Sequence, residues 1–289
     1  KSKNLLGGAD LKNATQLKAI VRNISKEKKI SAQLVLQNHM LERLLERIAL
    51  SQYKDNFILK GGFLIASMVG LDTRATMDMD VTIKGEPVNP ENIRLMFDEI
   101  IKISVDDDIS FEFKNINEIR EGDDYTGYRV HLVGNFPPMA VPLKLDITTG
   151  DKITPKEIQY EYKTMFDEKS IFVLAYNLET VISEKLETIL SRGDQTTRPR
   201  DYYDVYILWK LQQQNINLDH LKVALTTTAN KRNSLGLMKQ YQNTMSVVRG
   251  SGFMLEQWQK YQHSFDYAKE ISLKETCDSV IEVMNRLEL

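Results

Sequence analysis

Apolar residues recur at helix and strand spacings along most of the chain, and their order predicts a sheet with helices followed by a helical half. Helical spacing predicts helices at Leu11–Ile24, at Ser31–Tyr53 and at Asn89–Ser104. Alternating or β-rich runs predict strands at Phe57–Leu59, Met77–Ile83, Ile109–Ile119, Tyr128–Phe136 and Met139–Thr148, with Ile158–Met165 and Ile171–Leu174 extending or flanking the sheet. From Asn177 onward the pattern is helical. The pattern predicts an α+β fold, with a mixed β-sheet core and flanking helices in residues 1–174 and a helical domain in residues 175–289.

A Gly-Gly pair and two nearby aspartates form the first candidate site. Gly61 and Gly62 follow a short apolar strand and open an apolar helix, so that backbone N–H groups at the helix start can face a phosphate. Asp78 and Asp80 are two residues apart in a predicted strand, and their side chains should share one face. Two carboxylates on one face suit Mg²⁺, which binds a few carboxylates together with phosphate oxygens. The alternative is a pair of solvated strand acids with Arg74 nearby.

A third carboxylate lies on a later predicted strand. Residues 141–148 read VPLKLDIT, in which Leu143, Leu145 and Ile147 share one face and Asp146 lies on the polar face. A surface acid on an amphipathic strand explains Asp146 nearly as well when it is considered alone. Counted with the Asp-x-Asp pair, it supplies a third carboxylate for a metal site.

Two predicted helices of the C-terminal half carry charged residues on their apolar faces. Lys185 lies on the apolar face of the first of them, where a lysine either extends to solvent along its own methylenes or directs its ammonium at phosphates or carboxylates. Asp201 and Asp204 lead the apolar face of the next helix into the protein. The helix dipole also explains an acid at Asp201, and Arg198 and Arg200 are close enough in sequence to pair with either acid.

Composition narrows the class of protein. The 289 residues are 42% hydrophobic, enough for one large domain or two. Lys and Arg total 38 against 40 for Asp and Glu, so that any RNA contact has to be a local patch, for which we consider the stretch from Lys231 and Arg232 to Arg249. Cys277 is the single cysteine, which excludes an internal disulfide and a cysteine-rich zinc site. The sequence lacks a transmembrane-length apolar run and a signal-peptide core, which predicts a cytoplasmic protein without a membrane partner.

Five motifs in a fixed order resemble one protein family. They are KGG at 60–62, RATMDMDV at 74–81, LDITTGD at 145–151, EKLETILSR at 184–192 and RPRDYYDVYIL at 198–208. In this order they resemble the AbiEii/AbiGii toxin family, the toxin halves of type IV toxin–antitoxin and phage abortive-infection systems, related to the mycobacterial MenT toxins. The first three motifs also resemble the wider DNA-polymerase-β-like nucleotidyltransferases. The family resemblance covers roughly residues 30–210.

The resemblance implies a nucleotidyltransferase fold and a magnesium-dependent reaction, with two Mg²⁺ ions, that moves a nucleoside monophosphate from an NTP to an acceptor. It implies tRNA at its 3′ end as the acceptor, so that aminoacylation and growth stop. It further implies a cognate antitoxin of the AbiEi type and a role in phage defence.

The resemblance also assigns roles to residues. It implies Asp78, Asp80 and Asp146 as metal ligands and catalytic residues, and Lys185 and Asp201 as further catalytic residues. Nucleotide-binding roles fall on Gly61, Gly62 and Asp204. Apart from the resemblance, Lys60 and Arg74 are candidate nucleotide-binding residues, as either phosphate or structural contacts. The family's Gly-Ser variant is Gly-Gly here, so that no hydroxyl is available at that position for a phosphate contact.

Two other functions remain open from the sequence. One is nucleotidylation of a protein hydroxyl, which ribonuclease treatment of the labelled product would separate from RNA modification. The other is a nucleotide-binding module that inhibits by binding alone, which would bind NTP without releasing pyrophosphate.

Overall fold

The computed structural model describes residues 14–119, 127–167 and 169–289. The helices described are α1 (Ala14–Lys28), α2 (Ala32–Leu50), α3 (Gly61–Val69), α4 (Pro90–Ile100), α5 (Leu178–Arg192), α6 (Pro199–Gln212), α7 (Leu218–Lys231), α8 (Leu235–Met238), α9 (Tyr241–Gly250), α10 (Gly252–Ser264) and α11 (Leu273–Leu287). The strands described are β1 (Phe57–Lys60), β2 (Met79–Ile83), β3 (Ser110–Ile119), β4 (Gly127–Phe136), β5 (Met139–Thr149), β6 (Ile158–Lys163) and β7 (Ser170–Ala175). These strands form one mixed sheet, which confirms the predicted α+β class.

Element boundaries differ from the predicted ones by a few residues. Strand β2 begins at Met79 rather than Met77, because its first ladder partner on β5 is Leu145, which pairs with Met79. Met77 therefore precedes the strand, and its side chain is 42% exposed instead of sharing the buried face of Met79. Helix α4 ends at Ile100 and α2 at Leu50, each earlier than predicted. The start of the first predicted helix, residues 11–13, lies outside the described residues.

Two compact units divide the chain. The sheet unit contains the described residues up to Ser67, together with Ala75–Asp151 and Ile158–Ala175. The helical unit contains Met68–Arg74, Lys152–Glu157 and Tyr176–Leu289. Among the described residues, no helix combines the length and apolar character needed to cross a membrane.

The sheet has the order β3-β4-β5-β2-β1-β7-β6, with β2 near its centre. Strand β2 runs antiparallel to β1 and parallel to β5, and β5 is the second strand of an antiparallel hairpin with β4. Burial alternates along β4 and the first half of β5, whereas consecutive residues are buried in β2 and at the end of β5, including Thr82, Asp146 and Thr148. The face opposite the apolar residues of these strands carries the polar residues of the candidate site.

Helix α2 packs in the sheet unit with charged residues on its buried surface. Arg47 donates two hydrogen bonds of 2.8 Å to the Asp107 carboxylate. The Glu42 carboxylate accepts a 3.1 Å hydrogen bond from the Met165 backbone N–H, in the turn between β6 and β7. Burial raises the pKa of Glu42 to about 8, because desolvation disfavours its charged form. The predicted amphipathic helix is therefore covered on more than its apolar side.

The helical unit is built on packing among α5, α6, α7 and α11. Asn177 caps α5 by accepting a 2.7 Å hydrogen bond from the Thr180 N–H, and Ser272 with Glu275 forms a capping box at the start of α11. These caps fix where each helix begins. In α5, the cap sets which side Lys185 faces.

Candidate functional site

A row of charged residues crosses four neighbouring strands of the sheet unit. Lys60 on β1 pairs in register with Asp80 on β2. Asp80 pairs with Asp146 on β5, and Asp146 pairs with Arg129 on β4. Directly paired residues of neighbouring strands point to the same face of a sheet. We call these four residues the charged row, in which two carboxylates lie between two cations. Asp78 precedes β2, so the prediction that it shares a strand face with Asp80 is wrong, because the ladder with β5 begins only at Met79.

The start of α3 lies against the Asp80 carboxylate. The Gly62 backbone N–H donates a 3.2 Å hydrogen bond to Asp80 Oδ2. Gly61 has a φ of +64°, a backbone conformation that favours glycine. A Cβ added to Gly61 would lie 2.2 Å from Asp80 Oδ2, so that glycine is also required by the close approach. The Gly-Gly pair is thus in direct contact with Asp80.

Replacing Gly61 with Ala is expected to destabilise the sheet unit. The left-handed backbone costs about 1–2 kcal/mol for a residue with a Cβ, and the contact with Asp80 adds to this cost. We expect the melting temperature to fall by about 2–8 °C. Differential scanning calorimetry would measure the change, with Gly236→Ala as the control because a Cβ there meets no atom within 4 Å. Equal melting temperatures for the two variants would contradict the expectation.

Lys60 is anchored by Asp151, the last residue of the LDITTGD motif. Its ammonium lies 2.8 Å from Asp151 Oδ2, and the Thr148 hydroxyl donates a 2.9 Å hydrogen bond to the same oxygen. Asp151 follows β5 in the LDITTGD motif, which brings it back toward the end of β1. Asp151 therefore orients Lys60 beside the carboxylates of the charged row.

Arg129 is a site residue that the sequence reasoning missed. It donates two hydrogen bonds of 2.7 Å, one from Nε and one from Nη2, to the two oxygens of Asp146. These hydrogen bonds and the charges of Asp146, Asp78 and Asp80 raise the pKa of Arg129 above its ordinary value. The signal was available, since a β-hairpin turning between Phe136 and Met139 puts residue 129 opposite residue 146.

The carboxylates of the sheet unit partly fit a divalent cation. Asp80 and Asp146 are register partners, and the Arg129 guanidinium shows that positive charge is accommodated beside them. Among the described residues, however, no three His, Cys, Asp or Glu side chains form a group that could hold a metal ion. Arg129 donates hydrogen bonds to both Asp146 oxygens, so Asp146 does not serve as the predicted third metal ligand in this arrangement. Asp80 offers a carboxylate for a metal, Asp146 would join it only after release from Arg129, and Asp78 precedes the strand that carries Asp80.

A second group of charges lies in the helical unit, and we call Arg74, Lys185, Asp201 and Asp204 the buried cluster. The Lys185 ammonium lies 2.6 Å from Asp201 Oδ1 and 3.0 Å from Asp204 Oδ2. Arg74 Nε donates a 2.6 Å hydrogen bond to Asp204 Oδ1. Arg74 is 1% exposed and Asp204 is 0% exposed, so that this pair is withdrawn from solvent. The predicted pairing of Lys185 with Asp201 is present, and Arg74 and Asp204 are bound to each other.

Opposite charges decide the ionisation of the buried cluster. Burial alone would raise the pKa of Asp204, but the charges of Arg74 and Lys185 and their hydrogen bonds lower it below its ordinary value. Burial alone would lower the pKa of Lys185, and the charges of Asp201 and Asp204 raise it instead. Arg74, Lys185 and Asp204 are therefore all held in their charged forms.

Each oxygen of the Asp201 carboxylate lies beside a different cation. Arg198 Nε lies 3.0 Å from Asp201 Oδ2, but within the described structure this buried oxygen accepts no hydrogen bond. Lys185 contacts the other oxygen, and its side chain is 15% exposed. Lys185 is thus more exposed than the acids it contacts, Asp201 and Asp204.

The other predicted nucleic-acid contacts are engaged within the protein. In the predicted basic patch, Arg232 lies 2.6 Å from Glu187 and Arg249 pairs with Asp278. These acids offset the local positive charge, and RNA binding by this stretch stays a prediction.

Two solved structures are similar to this chain. A candidate nucleotidyltransferase from Helicobacter pylori has a similar structure, with a TM-score of 0.50 at 17% identity over 90% of this chain and 98% of that chain. A second structure, JHP933 from Helicobacter pylori, gives a TM-score of 0.47 at 18% identity over 89% of this chain and 94% of that chain. These likenesses concern the fold. No curated protein sequence matches the chain.

The sequence profile of a toxin family covers most of the chain. The profile, described as nucleotidyl transferase AbiEii toxin of type IV toxin–antitoxin systems, matches residues 43–278. This range includes both the charged row and the buried cluster. Membership implies an NTP substrate and an antitoxin partner. The chain therefore belongs to the AbiEii family of nucleotidyltransferase toxins of type IV toxin–antitoxin systems.

Proposed function

We propose that the protein transfers a nucleoside monophosphate from an NTP to the 3′ end of tRNA in a magnesium-dependent reaction, which blocks aminoacylation and stops growth. The observation that carries the proposal is the contact between the start of α3 and Asp80, beside Asp146 on the next strand. The N-terminus of a helix can bind a phosphate. Adjacent carboxylates can hold the Mg²⁺ that accompanies a triphosphate.

Asp78 and Asp80 are the residues that would hold Mg²⁺, with Asp146 as a further ligand once it leaves Arg129. When bound, Mg²⁺ supplies positive charge to the triphosphate and lowers the pKa of the attacking hydroxyl. Two ions would be present, as the family resemblance implies. The Gly62 N–H holds Asp80 in one orientation, which fixes a carboxylate oxygen before any ligand arrives.

The sheet unit also supplies groups for the triphosphate. Backbone N–H groups at the start of α3, near Gly61 and Gly62, cradle the phosphates. Lys60 adds a cation whose position is fixed by Asp151. Release of pyrophosphate leaves negative charge on the leaving group, and cations already oriented in the ground state stabilise that charge without reorganising.

In the helical unit, Lys185 and Asp201 orient the nucleotide or the acceptor. Lys185, whose side chain is 15% exposed, can contact a phosphate, and Asp201 holds its ammonium in place. Arg74 and Asp204 also stand as nucleotide-binding residues in this proposal. Their mutual hydrogen bonds hold Lys185 in place, which gives them an effect on the nucleotide through that residue.

The test is incubation of the purified protein with Mg²⁺, total bacterial tRNA and each α-labelled NTP in turn. We expect label on RNA with one NTP or a small set of NTPs, and loss of the label after ribonuclease treatment. Label that survives ribonuclease but not protease would indicate a protein acceptor. NTP binding without pyrophosphate release would indicate a binding module and would contradict the proposal.

A further inference from the structure

Arg129 and a metal ion compete for the same carboxylate. The two guanidinium hydrogen bonds to Asp146, each 2.7 Å, take one oxygen apiece in a fork-to-fork arrangement. Such a pair is geometrically specific, because both partners are planar. As long as it persists, Asp146 is committed to an internal cation.

The competition extends beyond Asp146. The charges of Asp78 and Asp80 act on Arg129, which shows that the guanidinium lies in the field of all three acids. A divalent cation among the same acids would repel Arg129. Metal binding therefore favours a conformation in which Arg129 has left this position.

The surroundings of Arg129 allow that movement. Its side chain is 35% exposed, against 12% for Asp146, so that the guanidinium can turn toward solvent while the carboxylate stays with the sheet. The backbone of Arg129 remains fixed by pairing of β4 with β3 and β5. Only side-chain torsions need to change.

A phosphate can replace the two-point hydrogen bonding that Arg129 would lose on leaving Asp146. The guanidinium fork binds phosphate oxygens in the same two-point manner as a carboxylate. Resting on the proposed function, we propose that Arg129 exchanges Asp146 for the triphosphate when metal and NTP bind together, which frees Asp146 for the metal. One internal ion pair is replaced by two pairs with ligands, and net charge is balanced in both states.

The exchange makes metal and nucleotide binding mutually dependent. In the absence of nucleotide, Arg129 weakens metal binding by occupying Asp146. With nucleotide present, Arg129 has another partner, and metal affinity rises. Linkage requires metal to raise nucleotide affinity by the same factor, and couplings of this kind are typically about 5–150-fold. Arg129 would thus keep the site from filling with metal alone.

The experiment measures Mn²⁺ binding to the full chain by electron paramagnetic resonance, with and without a non-hydrolysable NTP analogue. For Arg129→Gln we expect Mn²⁺ to bind about 5-fold or more tightly than to wild type without nucleotide. We expect the analogue to bind more weakly, and the coupling between the two ligands to shrink toward one. Arg129→Lys, which keeps the charge but cannot form the fork, should give intermediate values.

Controls separate this inference from the proposed function. Arg94→Gln removes an exposed arginine from an i,i+4 pair with Asp98 in the same unit and should match wild type. Asp80→Asn should lose Mn²⁺ binding with or without the Arg129 change. If Asp80→Asn loses Mn²⁺ while Arg129→Gln binds it no more tightly than wild type, the exchange is wrong and the metal assignment stands. If Asp80→Asn binds Mn²⁺ as wild type does, both the metal assignment and the exchange are wrong.

Discussion

Replacing Asp80 with Asn is expected to reduce nucleotide transfer by about 10³-fold or more while leaving the fold intact. The side chains have nearly the same shape, and the Asn carbonyl can still accept the hydrogen bond from the Gly62 N–H. The charge is lost, however, at the centre of the charged row. Loss of a metal-bound carboxylate removes several kcal/mol of transition-state stabilisation, and about 4 kcal/mol corresponds to the stated factor.

The measurement is the initial rate of label transfer from the preferred α-labelled NTP, with melting temperature recorded for each variant. Asp98→Asn provides the matched control, because Asp98 is an exposed acid on α4 in the same unit. Its transfer rate should equal that of wild type. Transfer at more than a tenth of the wild-type rate by a folded Asp80→Asn variant would refute the metal role of Asp80.

The local part of the site followed from sequence because it depends on short-range geometry. Gly61 and Gly62 were predicted to open a helix after a short strand, and α3 does begin at Gly61, against Asp80; phosphate binding there stays a prediction. The position of Asp80 on a polar strand face followed from the two-residue period of a strand. Both inferences needed only neighbouring residues.

Contacts between distant segments could not be predicted in the same way. The Arg74–Asp204 pair joins residues 130 apart in the chain, and no periodicity reports such a separation. The register of Lys60 with Asp80 is likewise set across the intervening α3 rather than by a tight turn. Arg129 is a different case, because a hairpin fixes its register and the pairing with Asp146 could have been counted.

The same limit explains the burial of helix α2. The sequence predicted one apolar face, on which Leu41, Leu44 and Leu45 are indeed buried. The charged Glu42 is buried as well, because the turn after β6 approaches it and Met165 donates a hydrogen bond to it. The spacing of apolar residues predicts which face of a helix is buried by the core. It does not predict which distant segment will cover the other residues of the helix. Partners for buried charges therefore have to be found in three dimensions.

Lys185 shows how two sequence hypotheses can both be partly correct. One hypothesis extended its ammonium to solvent, and the other directed it at carboxylates. The side chain is 15% exposed and contacts Asp201 and Asp204. Lys185 is thus ion-paired but still partly exposed to solvent, which agrees with a proposed contact to a phosphate. Its position depends on the two acids that it contacts.

Replacing Asp204 with Ala is expected to lower the free energy of unfolding of the helical unit by about 3–5 kcal/mol. The change leaves the buried Arg74 without its hydrogen-bonded acid and removes one of the two acids that hold Lys185. Both tryptophans of the chain, Trp209 and Trp258, lie in this unit, so that their fluorescence during urea denaturation reports its unfolding. Glu282→Ala, which breaks an exposed i,i+4 pair on α11, should change the value by less than about 0.5 kcal/mol.

The stabilisation that Asp204 provides is expected to decrease as the pH falls. The pKa of Asp204 is lowered in the folded protein, so that its contribution is fully present above the pKa of the unfolded chain and is lost as the pH falls through the lowered folded value. The difference between wild type and Asp204→Ala should therefore narrow in acid. A difference that stayed constant from neutral to acidic pH would attribute the loss to packing and not to the charge.

A double variant tests whether the cost comes from the uncompensated arginine. Replacing a buried ion pair with apolar residues of similar volume is often neutral, whereas removing one partner is costly. Arg74→Met with Asp204→Leu should therefore be more stable than Asp204→Ala, even though it removes more charge. If stability returns while nucleotide transfer does not, Arg74 and Asp204 act on the reaction through the position of Lys185. If the double variant is less stable than Asp204→Ala, the pair is itself a net source of stability, and the uncompensated charge is not the main cost.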